Sequence, residues 1–226
     1  MNIFISIDGV LRNTIQKFEY HYKDYYINSD IDETLEQIEL GDDGEIIDNG
    51  NVEELPEPKF NYDILYPIKN DDLSRYFIFQ SDDEFKNFFY IEFPVEIFGH
   101  AGISYPTAFT ELNKLMYDNP DLTYTVVGMD EFGKAKPSTL FFLSRNGFLG
   151  NNIRFIKSEN LIDEWAKCDV WVTDNEKIIN SCPKDKIVIK FETDYNSDFT
   201  TRFKINKFSN IETSWLKSSE NTTTSI

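Results

Sequence analysis

Two cysteines and two histidines are all that the 226 residues contain. Cys168 and Cys182 have no metal-ligand spacing, and His21 and His100 stand far apart, so no zinc pattern is present. A disulfide framework is not expected either, and the thiols read as reduced and buried. No apolar run approaches the roughly 18–20 residues that a membrane helix needs. The first residues lack the basic region and apolar run of a signal peptide, so a soluble, cytoplasmic-type protein with no membrane partner is expected. Basic residues are scarce: 22 Lys and Arg stand against 40 Asp and Glu, a net charge of −18 with pI near 4.4. Nucleic acids and anionic membranes reward positive charge, so neither is expected as a direct partner. A basic protein surface or a divalent ion fits better. Alanine is rare as well, four residues against 20 Asn. With abundant Ile, Tyr and Lys, this bias points to an AT-rich coding genome, and bacteriophages of AT-rich hosts have such genomes. Neither a Gly-x-x-x-x-Gly-Lys-(Ser/Thr) phosphate loop nor a Gly-x-Ser-x-Gly elbow occurs, and Ser104 and Ser138 carry no signal.

What is present is a core's worth of apolar residues, 40% of the chain, and an aromatic content of 15% with 20 Phe and 12 Tyr. Ile3 to Leu11 reads as a buried central strand stopped by Gly9. Asn13 to Tyr26 mixes aromatic and charged residues and suits a strand or a helix. Residues 30–58 hold twelve Asp and Glu and no Lys or Arg, with a turn at Leu40–Ile46 and Pro56 and Pro58 at the end. The spacing of Asp42, Gly44, Asp48, Gly50 and Glu54 departs from the order of a calcium loop, and a solvated acidic hairpin or loop is the plainer reading. Tyr76 to Phe79 predicts a strand, and Asp82 to Tyr90 a short helix capped by Ser81 or Asp82.

From Pro106 the chain alternates. Helices are predicted at Thr107–Asp118, Pro137–Arg145, Leu161–Lys167 and Glu176–Cys182. Strands are predicted at Leu122–Met129, Ile153–Ile156, Val170–Thr173 and, as the last, Ile187–Phe191. This βα alternation demands a mostly parallel sheet with helices on both faces. The polar, Thr-rich segment 218–226 is expected to be disordered by itself.

The opening Ile3-Phe4-Ile5-Ser6-Ile7-Asp8-Gly9-Val10-Leu11 resembles the first motif of the haloacid-dehalogenase-like (HAD) phosphohydrolases, a strand ending in Asp-x-Asp-Gly-(Thr/Val)-Leu. The resemblance covers the first strand and residues 106–192, about half the chain. It implies a three-layer Rossmann-like α/β core, with a large α+β insertion after the first strand. On that reading residues 1–11 and 105–217 are the core, 12–104 an acidic, aromatic-rich cap-like insertion, and 218–226 a tail. It also implies the chemistry that is missing. The family's nucleophilic Asp falls on Ser6, and a serine hydroxyl needs a base to attack and is a poor Mg²⁺ ligand. The general acid/base falls on Asp8. The phosphate-holding Thr or Ser falls on Gly128, which has no hydroxyl. The family's Lys falls on Lys136, with Lys134 a second candidate and a surface lysine the alternative. The late acidic Mg²⁺ ligand falls on Asp174, which suits a helix N-cap equally.

The expectation is a catalytically inactive HAD-like structural or interaction protein, set in a multi-copy assembly such as the ring, collar or tail region of a phage virion. Its partners would be other proteins, met through 12–104 and the tail. No cofactor is expected, with Mg²⁺ on Asp8 and Asp174 the exception to test. The alternatives are a Mg²⁺-dependent phosphohydrolase or nucleotidase, and a regulator that binds a phosphorylated ligand without cleaving it.

Overall fold

The computed structural model describes residues 1–28, 60–198 and 200–217. Six strands form one parallel sheet: β1 (Asn2–Ser6), β2 (Thr123–Met129), β3 (Ile153–Ile156), β4 (Val170–Thr173), β5 (Ile187–Phe191) and β6 (Phe203–Ile205). Their order is 3-2-1-4-5-6, that of the doubly wound Rossmann sheet. β2 to β5 fall within a residue or so of their predicted places, whereas β1 ends at Ser6 and not at Leu11, because the chain turns after Ile7, whose carbonyl accepts from Leu11 and Arg12 N–H. β6 was not predicted: Phe-Lys-Ile is too short to carry a periodic signal.

The sheet is covered on both faces, because side chains alternate along each strand. Ile3 and Ile5 of β1, with Val126, Val170, Val172 and Ile189, face α3 (Ala108–Asp118) and α4 (Ala135–Arg145) through Phe109, Leu112, Phe142 and Leu143. Phe4, Val127 and Trp171 face the other way, onto Leu161, Trp165 and Ile178. Ile178 belongs to α5 (Glu176–Asn180). The predicted helix at 161–167 forms two short 3₁₀ turns, Ser158–Asn160 and Asp163–Lys167. The last helix, α6 (Thr213–Lys217), follows β6.

Between β1 and α3, the described residues add no strand to the sheet. α1 (Thr14–Tyr22), capped by the Asn13 side chain on Gln16 N–H, continues into a π-helical turn at Lys23–Asn28. The Ser81 hydroxyl caps α2 (Asp82–Lys86) through Glu84 N–H, as predicted. The expected strand at Tyr76–Phe79 reduces to a single bridge between Ile64 and Phe77. Tyr76 and Phe77 instead turn back onto the Leu73 carbonyl. The rings gather around Phe18, which is fully buried and meets Phe77, Phe89 and Phe88 edge-on at centroid distances of 4.7, 4.9 and 5.5 Å. This aromatic cluster is a second apolar centre, to which α4 adds Ala135. The acidic stretch 30–58, with its calcium-loop spacing, and the tail 218–226 lie outside the described residues. Among the described residues no helix is long and apolar enough to cross a membrane.

Candidate functional site

In open α/β sheets, ligands bind beyond the carboxyl ends of the strands, at the point where the strand order reverses. Here that point lies between β1 and β4. Ser6 ends β1, Thr173 ends β4, and Asp8 and Asp174 follow them. A cavity of about 220 Å³ opens there and takes Ser6, Asp8 and Asp174 into its wall. Asp71 and Tyr195 join them from distant loops.

The loop after β1 is held tightly. Leu11 and Arg12 N–H both donate to the Ile7 carbonyl, and Gly9 N–H donates to Arg12 O. Gly9 has φ +73°, a conformation glycine adopts without penalty. The loop returns Arg12 beneath Asp8. Arg12 is completely buried. Its Nη2 and Nε donate to Asp8 Oδ1 at 2.6 and 3.0 Å, and its Nη1 donates to Phe98 O and Thr139 Oγ1 at 2.8 and 3.0 Å. The guanidinium also stacks over Phe98 at 4.8 Å. Thr14 Oγ1 adds a third donor to Asp8 Oδ1. Asp8 is therefore a held, charge-compensated carboxylate, and only Oδ2 takes no donor among the described residues.

Ser6 is equally engaged. Its hydroxyl donates to Thr173 Oγ1 at 2.8 Å and accepts from the Trp171 indole N–H at 3.2 Å. Thr173 Oγ1 also accepts from Asn175 N–H. Among the described residues no base is bonded to Ser6. His21 lies beside Tyr20 and Phe93, His100 beside Phe141, and neither reaches the cavity.

Asp174 is buried and accepts from the Tyr195 hydroxyl through Oδ2. Burial raises its pKa, the nearby Asp71 raises it further, and the Tyr195 bond acts against both. Asp71 is shifted upward for the same leading reason, burial, opposed by donors that include the Asn175 side chain. Tyr195 is held well above its ordinary range by burial and by Asp174. Asn196 fixes the loop that delivers Tyr195, donating to Phe191 O at 2.7 Å and accepting from Thr193 N–H at 3.0 Å.

Ser6, Asp8 and Asp174 thus meet in one wall, as read from the sequence, whereas Gly128 and Lys136 do not join them. Gly128 sits inside β2, where a Cβ would come within 3.2 Å of Ile7 Cδ1, so its small size serves strand packing. Lys136 is exposed, with Nζ 5.6 Å from the Phe155 ring centre, and Lys134 is an exposed residue before α4. The lysine that does reach the cavity is Lys177. Nor is Asp174 the N-cap of α5: Asn175 is, through Ile178 N–H. Asp71, Tyr195 and Arg12 were not found by sequence reasoning.

The donor set does not fit the Mg²⁺ that the HAD resemblance implies. Magnesium asks for near-octahedral oxygen coordination. Among the described residues no group of three or more potential ligands is placed for a metal. Asp8 Oδ1 is occupied by a guanidinium, and Asp174 Oδ2 by a phenol. No known protein-family model matches the chain, and a comparison with curated proteins finds no match either.

Proposed function

We propose that this chain is a catalytically silent, HAD-like α/β protein that acts through binding and interaction rather than phosphoryl transfer. The observation that carries this reading is Ser6. At the position where the resemblance implies a nucleophilic carboxylate, its hydroxyl is buried, donated to Thr173 and held by Trp171, with no base in contact. A hydroxyl without a base is a weak nucleophile. The second carboxylate, Asp8, is bound to Arg12 beneath the cavity. The wall adds support: Asp8, Asp71, Asp72 and Asp174 face it, against Lys177 alone. Such a wall, with one lysine, offers a phosphate dianion little compensating charge.

The setting we propose is a larger protein assembly, of which a multi-copy component of a phage virion is one form. Residues 12–104 and the tail would supply the contacts. The acidity and the Asn-rich composition support it.

The test is Mg²⁺-dependent hydrolysis of 4-nitrophenyl phosphate by the wild type, Ser6→Asp and Asp8→Asn. The expected result is no turnover by the wild type. Wild-type turnover that disappears in Asp8→Asn would overturn the proposal in favour of a phosphohydrolase. Activity gained only in Ser6→Asp would identify a pocket that lacks one carboxylate.

A further inference from the structure

The cavity at the switch point has a composition that suits neither a phosphate nor a metal. Phe85, Phe89, Tyr90, Phe98 and Trp171 contribute to its wall, so much of its surface is aromatic. A hydrated metal ion gains little from such a wall. An organic cation gains twice, because ring faces attract a positive charge and apolar walls attract the body that bears it. An acceptor is also in place. An ammonium group carries three N–H donors and needs no octahedron. Asp8 Oδ2 is left without a donor among the described residues, while Arg12, which neutralises the other oxygen, lies behind Asp8 and outside the wall. The volume of about 220 Å³ falls below the roughly 300–1,000 Å³ of sites for drug-sized ligands, so the guest must be small.

We infer that this cavity is a receptor for a small primary ammonium compound with a single ring or a short apolar body, its nitrogen between Asp8 and Asp174 and its body against Phe89, Phe98 and Trp171. The inference deepens the proposed function and rests on the reading that this site binds without hydrolysing. Lys177 is the one opposing charge in the wall, and it is exposed to solvent.

The experiment compares three probes that share one phenyl ring on the full chain: benzylammonium, benzyl alcohol and phenyl phosphate, at millimolar concentration and constant ionic strength. The chain has three tryptophans, so the readout is the Trp171 indole N–H resonance, assigned with Trp171→Phe. Benzylammonium is expected to shift that signal saturably, with an affinity about tenfold or more above that of the alcohol, and phenyl phosphate to leave it unmoved. Asp8→Asn, whose side-chain oxygen still accepts from Arg12 while its NH2 replaces the free Oδ2, should remove the preference for the amine. Equal binding of amine and alcohol, stronger binding of phenyl phosphate, or no saturable shift by the amine would each overturn the inference. Hydrolysis of phenyl phosphate by the same sample would sink the non-catalytic reading separately, since the comparison of amine with alcohol does not depend on turnover.

Discussion

A Cβ placed on Gly9 would lie 1.7 Å from Asp174 Oδ2. The backbone of the loop after β1 is therefore packed directly against the carboxylate that follows β4, and no side chain fits between them. Gly9 is under two constraints, the contact and its φ of +73°. Gly133 has nearly the same φ, +75°, but open space around it. Gly9→Ala and Gly133→Ala should thus share the backbone cost of roughly 1–2 kcal/mol, and Gly9→Ala should cost more by the displacement of Asp174. Urea unfolding of both variants measures the difference. Equal losses would mean that the Asp174 carboxylate swings aside freely.

Asp174 should leave a mark on the pH dependence of stability. Its folded-state pKa is raised to about 8, by burial first and by Asp71 second. The folded protein therefore holds a proton that the unfolded chain, with an ordinary carboxylate, releases near pH 4. That contribution is fully present at low pH and is lost as pH rises through the folded value. Asp174→Asn, neutral throughout, should lack the loss. The stability of the variant relative to the wild type should rise steadily between pH 4 and about 8. A difference that stays flat over this range would show that Asp174 is ionised in the fold.

The sheet was legible in the sequence wherever a strand is long, apolar and β-branched, as in Val170–Thr173. Phe203–Ile205 failed that condition. Tyr76–Phe79, aromatic with Ile78 as its one β-branched residue, is no strand, because aromatic residues favour a three-dimensional cluster as readily as a pleated surface. The half of the site at strand ends, Ser6, Asp8 and Asp174, was legible for the same reason the strands were. Asp71 and Tyr195 were not. Asp71 meets Asn175 across 104 residues of chain, and nothing in Asn70-Asp71-Asp72 announces that destination. Arg12 was equally silent, since an arginine after a turn normally points to water, whereas this one is enclosed by Phe98, Thr139 and Asp8.

That enclosure makes Arg12 costly to remove. Arg12→Met would take the guanidinium from the Phe98 carbonyl and the Thr139 hydroxyl and leave Asp8 with Thr14 as its donor. Breaking a buried ion pair from one side costs about 3–5 kcal/mol. Asp8→Asn should cost less, because its side-chain oxygen still accepts from Arg12 and its side chain is 28% exposed. The double variant should be more stable than the sum of the two losses predicts, as residues in contact are not additive. Chemical denaturation of the four proteins gives the coupling, and strict additivity would sink the claim that the two charges hold each other.

Phe18 tests whether the aromatic cluster and the sheet unfold together. Its removal in Phe18→Ala should cost about 3–5 kcal/mol, the range for a buried Phe. The probes are weighted to different parts, since eight of the twelve tyrosines but no tryptophan lie in residues 12–104, and Trp165, Trp171 and Trp215 all lie later in the chain. Physical links cross between the two centres: Arg12 ties Phe98 to Thr139 of α4, Ala135 packs into the aromatic cluster, and Asp71 bonds Asn175. These contacts predict one cooperative unit. In urea, tryptophan fluorescence and tyrosine circular dichroism should therefore report coincident transitions, both displaced to lower denaturant in Phe18→Ala. A tyrosine transition that shifts alone would mean that the links are too weak to couple the two centres, and that the segment between β1 and α3 can open while the sheet stays folded.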